Sequence, residues 1–276
     1  MSRLDETFRH LRARGERALV PYFTVGDPSL ADTRRLVIEA ARRGADVVEL
    51  GVPFSDPLAD GPVIQRAGAR ALAAGTTVVR VLETVAGMRA EIDVPIVLMT
   101  YYNPVLAFGL KAFARTAVDA GVDGTLVTDL PPEESDPLGA EAAAAGLDLV
   151  YMVAPTSTPA RVRLIARKSR GFIYVVSLTG VTGERQQLPT DMSTQIVTIR
   201  GVTPMPVCVG FGISTPAQVA AVGRVADGAA VGSAIVRLVE SRAGSPTMVD
   251  DVGKFIAELK APLREPLQTS APQARR

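Results

Sequence analysis

A phrase repeated along the chain, an eightfold alternation of strand and helix, and a missing dinucleotide fingerprint together predict an α/β chain folded as a single (β/α)8 TIM barrel. The phrase runs small residues, glycine, one residue, aspartate, then an apolar stretch. It stands as "ARRGADVVEL" (Ala41–Leu50), "VDAGVDGTLV" (Val118–Val127) and "AAAAGLDLVYMV" (Ala142–Val153), with a weaker copy in "VGRVADGAAVG" (Val222–Gly232). The glycine suits a left-handed helix C-cap. The unbroken apolar run after it suits a parallel strand covered on both faces. No G-x-G-x-x-G follows an early strand, which weighs against an open, doubly wound sheet.

The elements follow in order. Ser2–Arg14 reads as an extra N-terminal helix capping the bottom of the barrel. Strands are expected at about Ala18–Thr24, Asp46–Leu50, Pro95–Met99, Gly124–Thr128, Leu149–Val153, Phe172–Val176, Pro206–Gly210 and Gly228–Gly232. Helices are expected between them at about Leu30–Arg43, Val63–Ala73 with Val78–Ile92, Leu110–Ala120, Pro132–Ala145, Pro159–Lys168, Met192–Arg200 and Pro216–Val222. Extra C-terminal helices follow at about Ala234–Val239 and Pro246–Lys260. The barrel domain thus spans residues 1–262. The polar, proline-broken stretch 263–276 reads as a disordered tail.

Composition narrows the chemistry. The chain has 276 residues and a formal net charge of +1, so it shows no electrostatic footprint for nucleic acid or an anionic membrane. Cys208 is the only cysteine and His10 the only histidine, which argues against a disulfide framework, a metal cluster or triad chemistry. Acid–base work falls to carboxylates, lysine or tyrosine. No apolar run reaches membrane-spanning length and no secretory h-region opens the chain, so a cytoplasmic protein is expected.

One stretch, "VVELGVPFSDPLADGP" (Val47–Pro62), sets a carboxylate inside a core strand and two more in the stiff loop after it. Strands are depleted of Asp and Glu, and a buried carboxylate is costly unless paired or used. Barrel chemistry sits at the C-terminal ends of strands. Glu49 and Asp60 are therefore the candidate catalytic pair. Read blandly, Glu49 pairs a nearby arginine and Asp60 caps the helix that follows. Asp56 is a turn residue or a partner contact.

Three glycine loops follow the last strands: "GVTG" (Gly180–Gly183), "GFGIS" (Gly210–Ser214) and "VGSAIV" (Val231–Val236). Each alone is explained by a tight turn. Together they fit a phosphate site built from backbone amides, Ser233 and a helix N-terminus. Tyr22, Tyr101, Tyr174 and Phe211, with Ile64, Met99, Val127 and Val153, either pack the core or line a pocket for a flat aromatic group. Asp129 caps a helix or braces the rim.

The motifs "PYFTVGDP", "VELGVPFSDPLADGPVIQ", "YYNPV", "TDLPPEE", "GFIYVVSLTGVTG", "GFGIST" and "VGSAIV" resemble, in order, those of the tryptophan synthase alpha chain family, from about Leu4 to Lys260. The stretch Glu49–Gln65 is the most specific part. The resemblance implies retro-aldol cleavage of indole-3-glycerol phosphate to indole and glyceraldehyde 3-phosphate. It also implies an alpha2beta2 heterotetramer with a beta chain that carries the pyridoxal phosphate, leaving no cofactor and no metal in this chain. Glu49 and Asp60 match the family's catalytic acids. Tyr22, Ile64, Met99, Tyr101, Val127, Tyr174 and Thr182 are the implied substrate contacts. Gly183, Phe211, Gly212, Gly232 and Ser233 match its phosphate contacts, and Pro53 and Asp56 its partner face. One position departs: Leu178 stands where some relatives carry arginine. The rival readings are another phosphate-binding barrel lyase or isomerase, and a non-catalytic barrel that activates a partner. A synthase that dehydrates needs a lysine at a strand end, and Lys111, Lys168 and Lys254 end none.

Overall fold

The computed structural model describes residues 1–176, 190–210 and 212–264. Eight parallel strands close into a barrel in sequence order: β1 (Ala18–Thr24), β2 (Val48–Gly51), β3 (Ile96–Thr100), β4 (Gly124–Val127), β5 (Asp148–Val153), β6 (Ile173–Val176), β7 (Val207–Gly210) and β8 (Gly228–Val231). β8 returns to β1 with Ala18 opposite Gly228. Helix α1 (Arg3–Ala13) precedes the barrel, and its Leu4, Phe8 and Leu11 join the inner cluster. Phe8 meets Phe172 with ring centroids 5.7 Å apart. Helix α1 therefore closes the end of the barrel opposite the strand C-termini.

The outer wall comprises α2 (Leu30–Arg43), α3 (Pro62–Ala73), α4 (Val78–Met88), α5 (Tyr102–Phe108), α6 (Leu110–Ala120), α7 (Asp136–Ala145), α8 (Pro159–Lys168), α9 (Thr190–Arg200), α10 (Pro216–Gly223), α11 (Ser233–Arg242) and α12 (Met248–Lys260). Helices α2, α6 and α7 end on Gly44, Gly121 and Gly146, all left-handed, as the repeated phrase predicts. The weaker copy differs, because α10 ends on Arg224 in a right-handed conformation.

The aspartate of the phrase also has a physical reason. A carboxylate oxygen of Asp46 accepts the Leu19 N–H at 2.8 Å, Asp123 accepts Ile96 N–H at 2.8 Å, and Asp227 accepts Val207 N–H at 3.0 Å. Each acid satisfies a backbone donor near the start of the preceding strand, where the ladder has not yet begun. A cation backs each: Lys260, Arg89 and Arg200 respectively. Asp148 departs from this pattern: its Oδ2 is buried without a partner among the described residues.

Several boundaries move. Helix α4 stops at Met88, short of Ile92, and α11 runs on to Arg242. Helix α7 begins at Asp136, not Pro132, because Pro131–Ser135 is a turn closed by Glu134 N–H on Pro131 O and Ser135 Oγ on Pro132 O. Helix α5 is not anticipated by the sequence reading. Its cap residue, Tyr101, offers no capping side chain, and Asp129 Oδ1 instead accepts the Tyr102 N–H at 2.7 Å. After α12 a 3-10 turn, Ala261–Leu263, continues the folded body. Leu263, placed in the tail by composition, is 1% exposed and its carbonyl accepts the Arg17 N–H. Residues 265–276 lie outside the described residues. Among the described residues no single helix is long and apolar enough to cross a membrane.

Candidate active site

Strand β2 delivers Glu49 to the barrel interior, in register with Tyr22 on β1 and Val97 on β3. The side chain is buried at 3% exposure, and its Oε1 has no hydrogen-bond partner among the described residues. No arginine pairs it there. Burial first, and the Asp60 charge second, push its carboxyl up to about 8. Glu49 thus holds a proton at neutral pH.

Asp60 approaches from the β2–α3 loop. It does not cap α3: the cap residue is Gly61, with Pro62 in the first turn and no side-chain cap. Its Oδ1 is buried and unpartnered among the described residues. Burial raises its carboxyl to about 6, against a hydrogen bond from Tyr101 that lowers it. The loop is pinned on both sides of the acid. Tyr101 Oη accepts the Ala59 N–H at 3.0 Å, and Gln65 Nε2 donates to the Asp60 carbonyl at 2.9 Å. The Tyr101 ring packs on Phe54 at 5.2 Å. Tyr101 therefore anchors the loop that carries Asp60, in addition to facing the mouth.

Tyr22 and Tyr174 are both buried in the inner cluster. Each ring occupies space left by a strand-end glycine. A Cβ on Gly51 would lie 1.9 Å from Tyr22 Oη, and one on Gly210 would lie 1.9 Å from Tyr174 Oη. Those glycines are required by the tyrosines, a reason the glycine-loop motif did not reveal. Tyr22 Oη also lies 3.3 Å from Thr24 Oγ1.

Met99 and Ile64 pack with the inner cluster, as expected of lining residues. Val127 does not. It packs against the outer cluster, while its neighbour Leu126 belongs to the inner one. Successive strand side chains point to opposite faces, so the lining position on β4 is Leu126 and Val127 is corrected. The same alternation replaces Val153 on β5 with Met152.

Gly212 follows β7 at φ 79°, a left-handed position suited to glycine. Gly232 precedes α11 as its cap residue and Ser233 opens the helix. β7 and β8 are neighbours, so these positions share one sector of the mouth. A Cβ on Gly232 would touch Tyr22 at 3.5 Å, so this sector adjoins the Tyr22 side chain. Thr182, Gly183 and Phe211, and Leu178 with them, lie outside the described residues. On the rim, Pro53 is half-buried and Asp56 exposed. Two apolar side chains missed by the sequence reading are exposed: Leu58 at 91% on the same loop, and Leu106 at 53% on α5, the helix after β3.

Among the described residues no group of three or more His, Cys, Asp or Glu is arranged to hold a metal ion. Lys260 is buried at the base of the barrel on Arg17 O and Asp46. The mouth thus sets two carboxylates, Glu49 raised to about 8 and Asp60 to about 6, beside the Tyr22 ring and the N-terminus of α11. Fold and site together define a (β/α)8 barrel whose mouth carries a pair of unpartnered carboxylate oxygens.

The comparisons with known proteins are more particular. The family model described as tryptophan synthase alpha chain matches residues 8–264. The tryptophan synthase alpha chain of Geobacter sp. (strain M21) is 50% identical over 260 residues, 94% of this chain and 97% of that protein. That of Geobacter sulfurreducens is 50% identical over 265 residues, covering 96% and 98%. The crystal structure of tryptophan synthase subunit alpha from Legionella pneumophila str. Paris superposes with a TM-score of 0.88 at 37% identity, covering 95% of this chain and 98% of that one. The chain belongs to the tryptophan synthase alpha chain family.

Proposed function

We propose that this chain cleaves indole-3-glycerol phosphate to indole and glyceraldehyde 3-phosphate, the alpha reaction of tryptophan synthase in L-tryptophan biosynthesis, with Glu49 and Asp60 as its catalytic residues. The observation that carries the reading is the split between two carboxylates in one mouth, about 8 for buried Glu49 and about 6 for half-buried Asp60. Two acids held in different environments take two different roles. Glu49 gives its proton to indole C3. The positive charge that develops on the ring is stabilised by ionised Asp60, which accepts a hydrogen bond from the indole N–H. The C3–C3′ bond then breaks, its electron pair returns to the ring, and the C3′ hydroxyl proton passes to the Glu49 carboxylate as the aldehyde forms. Glu49 ends the cycle protonated, as it began, so one side chain gives the first proton and takes the second, and this chain needs no cofactor of its own.

Tyr22, Ile64, Met99, Tyr101, Leu126 and Tyr174 form the walls for the indole ring, with Thr182 as a further substrate contact. Backbone amides at Gly183, Phe211, Gly212 and Gly232, with Ser233, hold the phosphate at the positive end of α11. Ser233→Asp sets a negative charge against that anion. Affinity for glycerol 3-phosphate should fall at least about 10²-fold, since two like charges brought together in a water-poor site repel by several kcal/mol. Calorimetric titration beside a thermal melt checks this, and unchanged affinity would move the phosphate elsewhere.

The partner is the beta chain, with its pyridoxal phosphate, in an alpha2beta2 complex in the cytoplasm. Exposed Leu58, on the loop of Pro53 and Asp56, and exposed Leu106, on the helix after the next strand, support a docking face on the rim. The direct test is indole formation from indole-3-glycerol phosphate, with and without beta chain. Slow release alone and faster release with partner are expected. Asp56→Ala should keep the basal rate and lose most of the activation. Equal activation of parent and variant would remove Asp56 from the interface, and no indole at all would sink the reaction.

A further inference from the structure

One guanidinium joins three elements beside the site. Arg70 in α3 donates from Nε and Nη2 to the two carboxylate oxygens of Asp27, both at 2.8 Å, and from Nη1 to Glu240 Oε1 at 2.7 Å. Asp27, with its side chain 3% exposed, lies in the turn after β1, and Glu240 lies in α11. One turn earlier on α3, Arg66 adds a second fork to Glu240 at 3.1 and 2.9 Å. The helices bound in this way follow β2 and β8, the two strands on either side of β1. Helix α3 starts at Pro62, two residues after Asp60, and α11 starts at Ser233.

We propose that Arg70 is a positioning residue for the cleavage. By holding α3 against α11 and the β1 turn, it fixes the separation between the Asp60 end and the Ser233 end of the mouth. A ligand that reaches both ends is then held at one length, with its reacting bond aligned on Glu49. The inference rests on the functional reading above and extends it to a residue that touches neither end. It separates two kinds of ligand. One that fills only the phosphate end does not sense the spacing, whereas one that spans the mouth does.

The test uses the full chain and two probes: glycerol 3-phosphate, and an indole joined to phosphate by a plain three-carbon tether, which lacks the hydroxyls needed for cleavage. Arg70→Lys keeps the charge but cannot hold two carboxylates in a planar fork. It should lower kcat and the affinity for the tethered probe at least about tenfold, in line with the cost of small misplacements at a reacting centre, and change glycerol 3-phosphate affinity less than about twofold. Glu240→Gln, which leaves the Asp27–Arg70 fork in place, should show the same imbalance to a smaller degree. It carries the comparison if Arg70→Lys fails to fold. A merely structural role would lower the melting temperature and weaken both probes alike. Equal losses, or no loss on the tethered probe, would overturn the proposal. If the parent binds neither probe, the functional reading fails first and takes this inference with it.

Discussion

Glu49→Gln should slow indole release by about 10⁴-fold, the upper end for a general acid–base group, because one side chain serves both proton transfers. The same change should raise the melting temperature at alkaline pH. Glu49's folded carboxyl is raised to about 8 by burial and by Asp60. Between the ordinary carboxylate range and about pH 8, the folded protein holds a proton that the unfolded chain has released. Stability therefore falls as pH climbs through that window, and glutamine, which cannot ionise, removes the fall. The gain in melting temperature over the parent should be larger at pH 9 than at pH 5. Single-turnover indole formation and melts at both values check the pair of effects. Turnover within tenfold of the parent would exclude Glu49 from the chemistry.

Asp60→Asn should cost about 10²–10³ in kcat/KM, the range seen when one stabiliser of transition-state charge is removed. Its pH profile is the sharper readout. The parent's kcat/KM should be bell-shaped, rising through about 6 as Asp60 ionises and falling through about 8 as Glu49 loses its proton. In the variant the acidic limb should vanish. The alkaline limb should shift to lower pH, because the Asp60 charge that helps to raise Glu49 is gone. Glycerol 3-phosphate affinity should stay close to the parent's. A lower melting point with an unchanged profile would return Asp60 to a structural role.

The strands were legible because both faces of each are buried, so they stand out as unbroken apolar runs between polar turns. That property also hid which side chains face inward. In "GTLV" nothing marks the phase, and Val127 reads as a lining residue where the fold turns Leu126 inward. In "VVEL" the glutamate breaks the run and sets the phase by itself. Asp60 was ambiguous because Asp-Gly-Pro also reads as a helix start, and only the fold shows Gly61 taking that position. Helix α5 was missed because its cap comes from Asp129, 27 positions along the chain. The role of Gly51 depends on where the Tyr22 ring lies, which no local pattern encodes.

The contacts at Ala59 and Tyr102 bear on how such a rim can change. The loop after β2 hangs on the hydroxyl of Tyr101, just beyond the end of β3, and the helix after β3 hangs on Asp129, just beyond the end of β4. Each connection borrows its anchor from the next one round the circle. A loop transplanted singly from a relative would arrive without its peg. The unit of exchange at this mouth, for evolution or for an engineer, is therefore a run of consecutive loops, and chimeras cut between β2 and β4 should tolerate grafts worse than those that move the whole arc.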